Sequence, residues 1–229
     1  MEFMKSELLY ENPLATPRDV ENFHVEGQPA FSFPRGAMRL ENGVEKDKEQ
    51  GIHGNFVVWC EQDFPDNIAV SWEFKPFTDA GLAMFWIAAK GRNGEDVLSP
   101  ELASRDGDYP QYHHGDINAL HASYYRRNQG EINFRTCNLR KSYGFHFVCQ
   151  GADPLPDAHY ATQMYRIEVI KAQRHLRFAI NDMVIYHWID DGESYGPVLE
   201  DGKIGFRQMA GLIAEYANLQ VHKVEAVQE

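Results

Sequence analysis

MYRIEVIKAQRHLRFAINDMVIYHWIDD, residues 164–191, reads as three short strands folded back on one another, with Asn181–Asp182 as the sharpest turn. The same rhythm of strand and turn extends outward in both directions. Upstream, DNIAVSWEFKP (66–76) alternates Ile68, Val70, Trp72 and Phe74 with Ala69, Ser71, Glu73 and Lys75, the period of two expected of a strand. GLAMFWIAAKG (81–91) is apolar on both faces, as a central strand covered on each side would be. A long Gly-, Pro- and Asp-rich loop follows at 91–116, and such loops carry function in β proteins. INALHASYYRRN, INFRTCNLRK and YGFHFVCQ are further strand candidates, and DGKIGFRQM and AEYANLQVHKV close the chain. Helical periodicity is confined to VLSPELASR (97–105) and TPRDVENF (16–23), each long enough only for a short helical turn. No linker or repeat divides the chain, so residues 1–229 are expected to form one all-β domain, an antiparallel β-sandwich.

Composition narrows the function. The 229 residues carry a formal net charge of −12, which argues against nucleic acid or an anionic membrane as partner. The charge is unevenly spread. Residues 105–141 hold six Lys/Arg against four acids, a window of +2 that leaves −14 for the rest, and a small anionic ligand would suit such a window. Cys60, Cys137 and Cys149 are an odd number in apolar or strand-like runs and read as reduced thiols. MEFMKSELLYENP has no apolar core of signal-peptide length and no run approaches a membrane span, so a cytoplasmic protein is expected.

The layout of LLYENPL, FHVEGQPAFSFPRGAMRLEN, DNIAVSWEFKP, the 164–188 meander and GKIGFRQMAGLIAEYANLQVHKV resembles a jelly roll of concanavalin A-like type, the galectin- and laminarinase-like architecture. HGDINALHASYYRR followed by NLRKSYGFHFV is similar to the YesU family, a domain family of unsettled function within that superfamily. The resemblance implies a two-sheet sandwich whose concave face binds carbohydrate, in a setting of plant-polysaccharide breakdown.

HGDINALHASYYRRN (114–128) gathers His, Tyr, Arg and Asn within fifteen positions. Strand parity puts His121, Ser123, Tyr125 and Arg127 on one face, polar along its length, and Leu120, Ala122, Tyr124 and Arg126 on the other. The polar face suits the floor of a groove, or an edge strand facing plain solvent. Arg, Tyr and His together suit a uronic acid: Arg clamps the carboxylate and Tyr or His moves the neighbouring ring proton, which is the β-elimination of a polysaccharide lyase. His121, Tyr125 and Arg127 are the candidate catalytic group. Trp86, Ser123, Asn133, Arg135 and His146 are the candidate substrate contacts, with Trp59 more simply a core residue. No metal or cofactor is required by this chemistry. A non-catalytic sugar-binding module and a structural or interaction protein remain alternatives. A glycoside hydrolase needs two carboxylates about 5–9 Å apart, and the Glu-x-Asp-x-x-Glu arrangement of laminarinase-like proteins does not occur. Gly192–Gly196 matches G-x-S-x-G, but Pro197 and a further strand follow where a nucleophile elbow needs a helix. His113-His114-x-Asp116 lacks partner ligands at metal spacing.

Overall fold

The computed structural model describes residues 2–44, 54–127 and 134–227. In chain order the strands are β1 (Glu2–Asn12), β2 (His24–Glu26), β3 (Pro29–Ser32), β4 (Met38–Asn42) and β5 (Phe56–Phe64). Next come β6 (Ile68–Pro76), β7 (Gly81–Gly91), β8 (Ile117–Arg127), β9 (Thr136–Ser142) and β10 (His146–Ala152). The last are β11 (Tyr165–Ala172), β12 (His175–Ile180), β13 (Met183–Ile189), β14 (Gly202–Gln208) and β15 (Ala214–Val227). They form two antiparallel sheets. One runs β13-β12-β11-β6-β15-β4-β3 with β1 also on β15, and the other runs β10-β9-β8-β7-β14-β5-β2.

The 164–191 meander is β11 to β13, hydrogen-bonded in sequence order. Its turn places Asn181 and Asp182 both at positive φ, 47° and 67°, the backbone that a two-residue hairpin needs and that Asn and Asp tolerate. α1 (Pro110–His113), a single turn of α-helix, lies in the 91–116 segment, and TPRDVENF forms the short helical turn expected of it, a 3-10 turn at Pro17–Val20. VLSPELASR, by contrast, forms tight turns, with Ser99 N donating to Asp96 O and Leu102 N to Ser99 O. Pro100 has no N–H to continue a helix there. Among the described residues no helix is long and apolar enough to cross a membrane.

Between the sheets, the Trp72 ring stacks on Phe85 at 4.2 Å and meets Phe206 edge-on at 5.6 Å. Trp72 Nε1 donates to Tyr124 Oη at 3.1 Å, so the buried indole N–H is paired. β7 is apolar on both faces because Phe85 and Ile87 face this core while Met84 and Trp86 face a second cluster, built by the 91–116 segment on the far side of the sheet.

The parity of β8 holds only as far as Tyr124. Ala83 lies opposite Tyr124 but Gly81 lies opposite Arg127, so β8 carries one residue more than β7 over this stretch. The extra residue is a β-bulge at Tyr125, whose φ is +45°. Tyr124 and Tyr125 both turn towards the core, and Tyr125 Oη donates to Asp79 at 2.6 Å. Beyond the bulge the faces exchange. Arg127 turns to the sandwich edge, where it pairs with Asp153 at 2.7 Å and donates to Leu155 O at 2.7 Å. Arg126 turns to the outer face and donates to Thr136 Oγ1 at 2.8 Å. The expected grouping of His121 with Tyr125 and Arg127 on one face therefore does not hold.

The side chains of Arg127 and Asp153 are 3% and 0% exposed. Arg127→Ala would leave that carboxylate buried and unpaired, at a cost of about 3–5 kcal/mol. Arg126→Ala, half-buried and with no acid partner among the described residues, should cost about 1 kcal/mol or less. Chemical denaturation of the two variants checks this, and equal losses would contradict the bulge assignment.

Candidate functional site

The outer face of the seven-stranded sheet is laid out in rows by its register. One row runs Arg140, His121, Trp86, Gly205 and Trp59 across β9, β8, β7, β14 and β5. The next runs Asn138, Ser123, Met84, Arg207, Val57 and Glu26, ending on β2. Gly205 has a packing reason: a Cβ there would sit 2.6 Å from the Trp59 ring.

Residues 92–116 roof one half of this face. Val97, Leu98, Leu102, Tyr109 and Tyr112 pack on Val57, Trp59, Met84 and Trp86. The roof is fastened by Arg105, which donates to Glu26 at 2.7 and 3.0 Å and to Val97 O at 2.6 Å, while Glu26 also accepts from Trp59 Nε1 at 2.9 Å. Trp86 is wholly buried against Tyr112 and His121, so it is no open platform for a sugar ring, and Trp59 is a core residue.

Three arginines stand out on this face. Arg207 is fully buried, and its Nε, Nη1 and Nη2 have no hydrogen-bond partner among the described residues. Its guanidinium lies 4.7 Å from the Tyr109 ring centre and 5.0 Å from that of Tyr112, a cation–π contact. Arg140 lies 3.7 Å over Phe145 and 5.0 Å over Phe147, and donates to Phe145 O. Arg126 lies 5.1 Å over Phe134. Among the described residues none of the three meets a carboxylate. Elsewhere buried cations are paired: Arg127 with Asp153, Lys141 with Asp190, Lys171 with Asp66, Lys203 with Asp96 and Arg105 with Glu26. Burial lowers all three guanidinium pKa values, and the neighbouring Arg140 lowers that of Arg126 further.

Beneath them His121 is fully buried, with Nδ1 3.2 Å from Tyr109 Oη and Nε2 3.3 Å from Ser142 Oγ. Burial, and then Arg140 and Arg207, hold its pKa well below the ordinary value, so it is neutral at pH 7. Burial pushes Tyr109 up to about 12 against the pull of Arg207, Arg140 and Arg126. The result is a neutral phenol hydrogen-bonded to a neutral imidazole beside unpaired positive charge.

The expected site residues are divided. His121 and Ser123 lie on the outer face, both buried. Tyr125 and Arg127 have left it at the bulge. Arg135 is exposed and pairs with Asp157 at 2.8 Å. His146 packs against Tyr195, tilted, at 5.1 Å between ring centres, and Asn133 lies outside the described residues. Tyr109, Arg126, Arg140 and Arg207 are the residues that sequence reasoning missed. Arg140 and Asn138 share one parity on β9, as do His121 and Ser123 on β8, a legible signal. Of the two short motifs, Ser194 sits in a turn where its Oγ donates to Asp191, with no helix behind it, and Asp116 accepts from Ala103 N at 2.7 Å.

His113, buried in α1, is lowered from 6.5 to about 4 by burial, then by His114 and Arg207. Above pH 6.5 neither the folded nor the unfolded chain holds this proton. Between 6.5 and about 4 only the unfolded chain takes it up, so stability should fall as pH falls across that window. Denaturation midpoints measured through the window should show a shallower loss in His113→Gln than in the native protein, and identical slopes would contradict the buried, neutral state.

Comparison with known proteins agrees with this fold. The family model described as Domain of unknown function (DUF1961) matches residues 7–221. The uncharacterized protein YesU of Bacillus subtilis (strain 168) is 47% identical over 216 residues, which cover 94% of this chain and 95% of that protein. A crystal structure of a protein of unknown function with a galectin-like fold from Bacillus subtilis superposes with a TM-score of 0.92 at 45% identity, over 99% of this chain and 100% of that one. The endo-β-1,3-glucanase of Pyrococcus furiosus shares the fold alone, with a TM-score of 0.63 at 9% identity over 96% and 95% of the two chains. On a match that spans nearly every strand of both sheets, the chain belongs to the DUF1961 family.

Proposed function

We propose that this protein is a carbohydrate-active protein that takes a carboxylated, uronic-acid-containing oligosaccharide onto the outer face of its seven-stranded sheet. The observation that carries the reading is that Arg126, Arg140 and Arg207 have no acid partner among the described residues, where the other buried cations are paired; Arg126 and Arg140 are the two a ligand can reach, and Arg207, fully buried beneath Tyr109 and Tyr112, adds positive field from below. Leaving a guanidinium desolvated and unpaired is costly, and a ligand carboxylate offsets that cost with charge-assisted hydrogen bonds. Fold likeness to a glucanase is an analogy that points the same way.

The enzymatic form of the reading is β-elimination. Arginine neutralises the uronate carboxylate and so acidifies the ring proton beside it. Tyr109 Oη, in its minor phenolate form, takes that proton, the C4–O bond breaks as the C4–C5 double bond forms, and Oη returns the proton to the departing oxygen, while His121 stays neutral and orients the phenol through Nδ1. Glycoside hydrolysis fits less well, because the acid in the two described rows, Glu26, is engaged by Arg105 and Trp59. The complete burial of His121 favours a second reading, a binding module that holds the same ligand without turnover. The free thiols of Cys60, Cys137 and Cys149 support a reducing compartment.

Thermal shift and product absorbance with a panel of uronic oligosaccharides test the proposal. Arg140→Ala should weaken binding roughly tenfold to a hundredfold, the worth of a hydrogen bond to a charged group. Tyr109→Phe should abolish the near-ultraviolet absorbance of unsaturated product while leaving affinity within about threefold, since only the phenolic hydroxyl is removed. Thermal shift without product identifies the binding module, and no shift with any member of the panel would contradict the proposal.

A further inference from the structure

A groove of about 390 Å³ lies beside this site, at the ends of β8 and β9 and against the 190–199 segment. Its walls include Arg92, Asn118, Ser142, Tyr143, His146 and Tyr195. Two tyrosines of the wall are partly exposed, Tyr143 at 40% and Tyr195 at 38%. The Arg92 guanidinium lies 3.9 Å over the Tyr143 ring and meets no carboxylate among the described residues. His146 packs on Tyr195 with the rings tilted by 40°, and Asn118 Oδ1 accepts from Tyr143 N at 3.0 Å, which fixes the amide at the wall. The buried Lys141 holds the floor in place through Asp190 at 2.6 Å and Gly196 O at 2.9 Å.

The groove is joined to the arginine site by Ser142, which lines it and also reaches His121 Nε2. Phe145 stands on the arginine-site side of this junction, 4.4 Å from His113 and 5.4 Å from Tyr109 between ring centres, and 41% exposed. Partly exposed tyrosine faces with a few convergent polar groups are what a sugar ring needs, because its C–H face packs on an aromatic while its hydroxyls find donors and acceptors. The unpaired guanidinium of Arg92 adds a preference for a carboxylate on that ring.

We infer that this groove is a second saccharide subsite, which takes the next acidic sugar residue of a chain whose neighbouring residue lies at Arg126 and Arg140. The inference rests on the proposed function and extends it: the ligand is an oligosaccharide spanning both places, and a single uronic acid fills only one of them. His146, expected from the sequence as a substrate contact, then serves here, and not on the rows that hold His121.

Calorimetric titration with oligogalacturonates and oligoglucuronates of increasing length, beginning from the monosaccharide, tests it. Tyr195→Ala and Arg92→Ala should each lower affinity for the longer chains by about tenfold, which corresponds to about 1.4 kcal/mol, and should leave monosaccharide binding unchanged. Arg140→Ala should lower affinity for every length. Native binding with loss at every length in Arg140→Ala, but no loss in either groove variant, would overturn the subsite and leave the proposed function standing. Failure of the native protein to bind any member of either series would overturn both. Because Tyr195 and Arg92 lie on separate segments, agreement between the two variants also guards against a local folding defect in one of them.

Discussion

At Tyr125 the eighth strand carries one residue more than its neighbour, and the chemistry of both faces of the sheet depends on that single insertion. Without it Arg127 would project onto the outer face and Arg126 into the sandwich. With it, Arg127 is spent on Asp153 and the Leu155 carbonyl at the sandwich edge, and Arg126 joins Arg140 beside Tyr109. The positive φ of a non-glycine residue is a strained backbone. It is held by the Tyr125 hydroxyl on Asp79, by the Phe74 ring at 5.7 Å, and by the Arg127 guanidinium 4.2 Å over its own ring.

The second constraint is electrostatic. An acidic chain has carboxylates to spare, and it uses them on cations buried for structural reasons, from Lys141 to Lys203. The arginines of the outer face are held instead by aromatic rings, Tyr109 and Tyr112 for Arg207, Phe145 and Phe147 for Arg140, and Phe134 for Arg126. A ring face stabilises a guanidinium without using up its N–H donors in the way a carboxylate would. Burial first, and this positive field after it, keep His121 and His113 neutral.

Much of the architecture was legible in the sequence because its signals are local. The period of two in 66–76 and the Asn181–Asp182 turn are properties of neighbouring residues, and both appear as read. The double-sided apolarity of 81–91 was also legible, though the second cover turned out to be the 91–116 loop itself, not another sheet. The site was only half legible. Parity put His121 and Ser123 on one face, as observed, and failed two residues later, at Tyr125, because a bulge arises from pairing with β7 and leaves no mark in the alternation of β8. Arg207 sits in a strand distant in sequence and reaches the site only because β14 lies next to β7. Tyr109 comes from a loop whose course over the sheet no local pattern specifies. Trp86 looked like a sugar platform for the same reason, since its roof could not be read from its own strand.

The central claim is that the outer-face arginines are there for a carboxylate, and comparing one ligand with its neutral twin tests it most directly. Thermal stabilisation should be measured with a uronic oligosaccharide and with the same oligosaccharide after its carboxylates are reduced to alcohols, at low and at high salt. The account predicts a shift with the acid that shrinks as salt is raised, and little or none with the neutral sugar. Equal stabilisation by both, insensitive to salt, would contradict it.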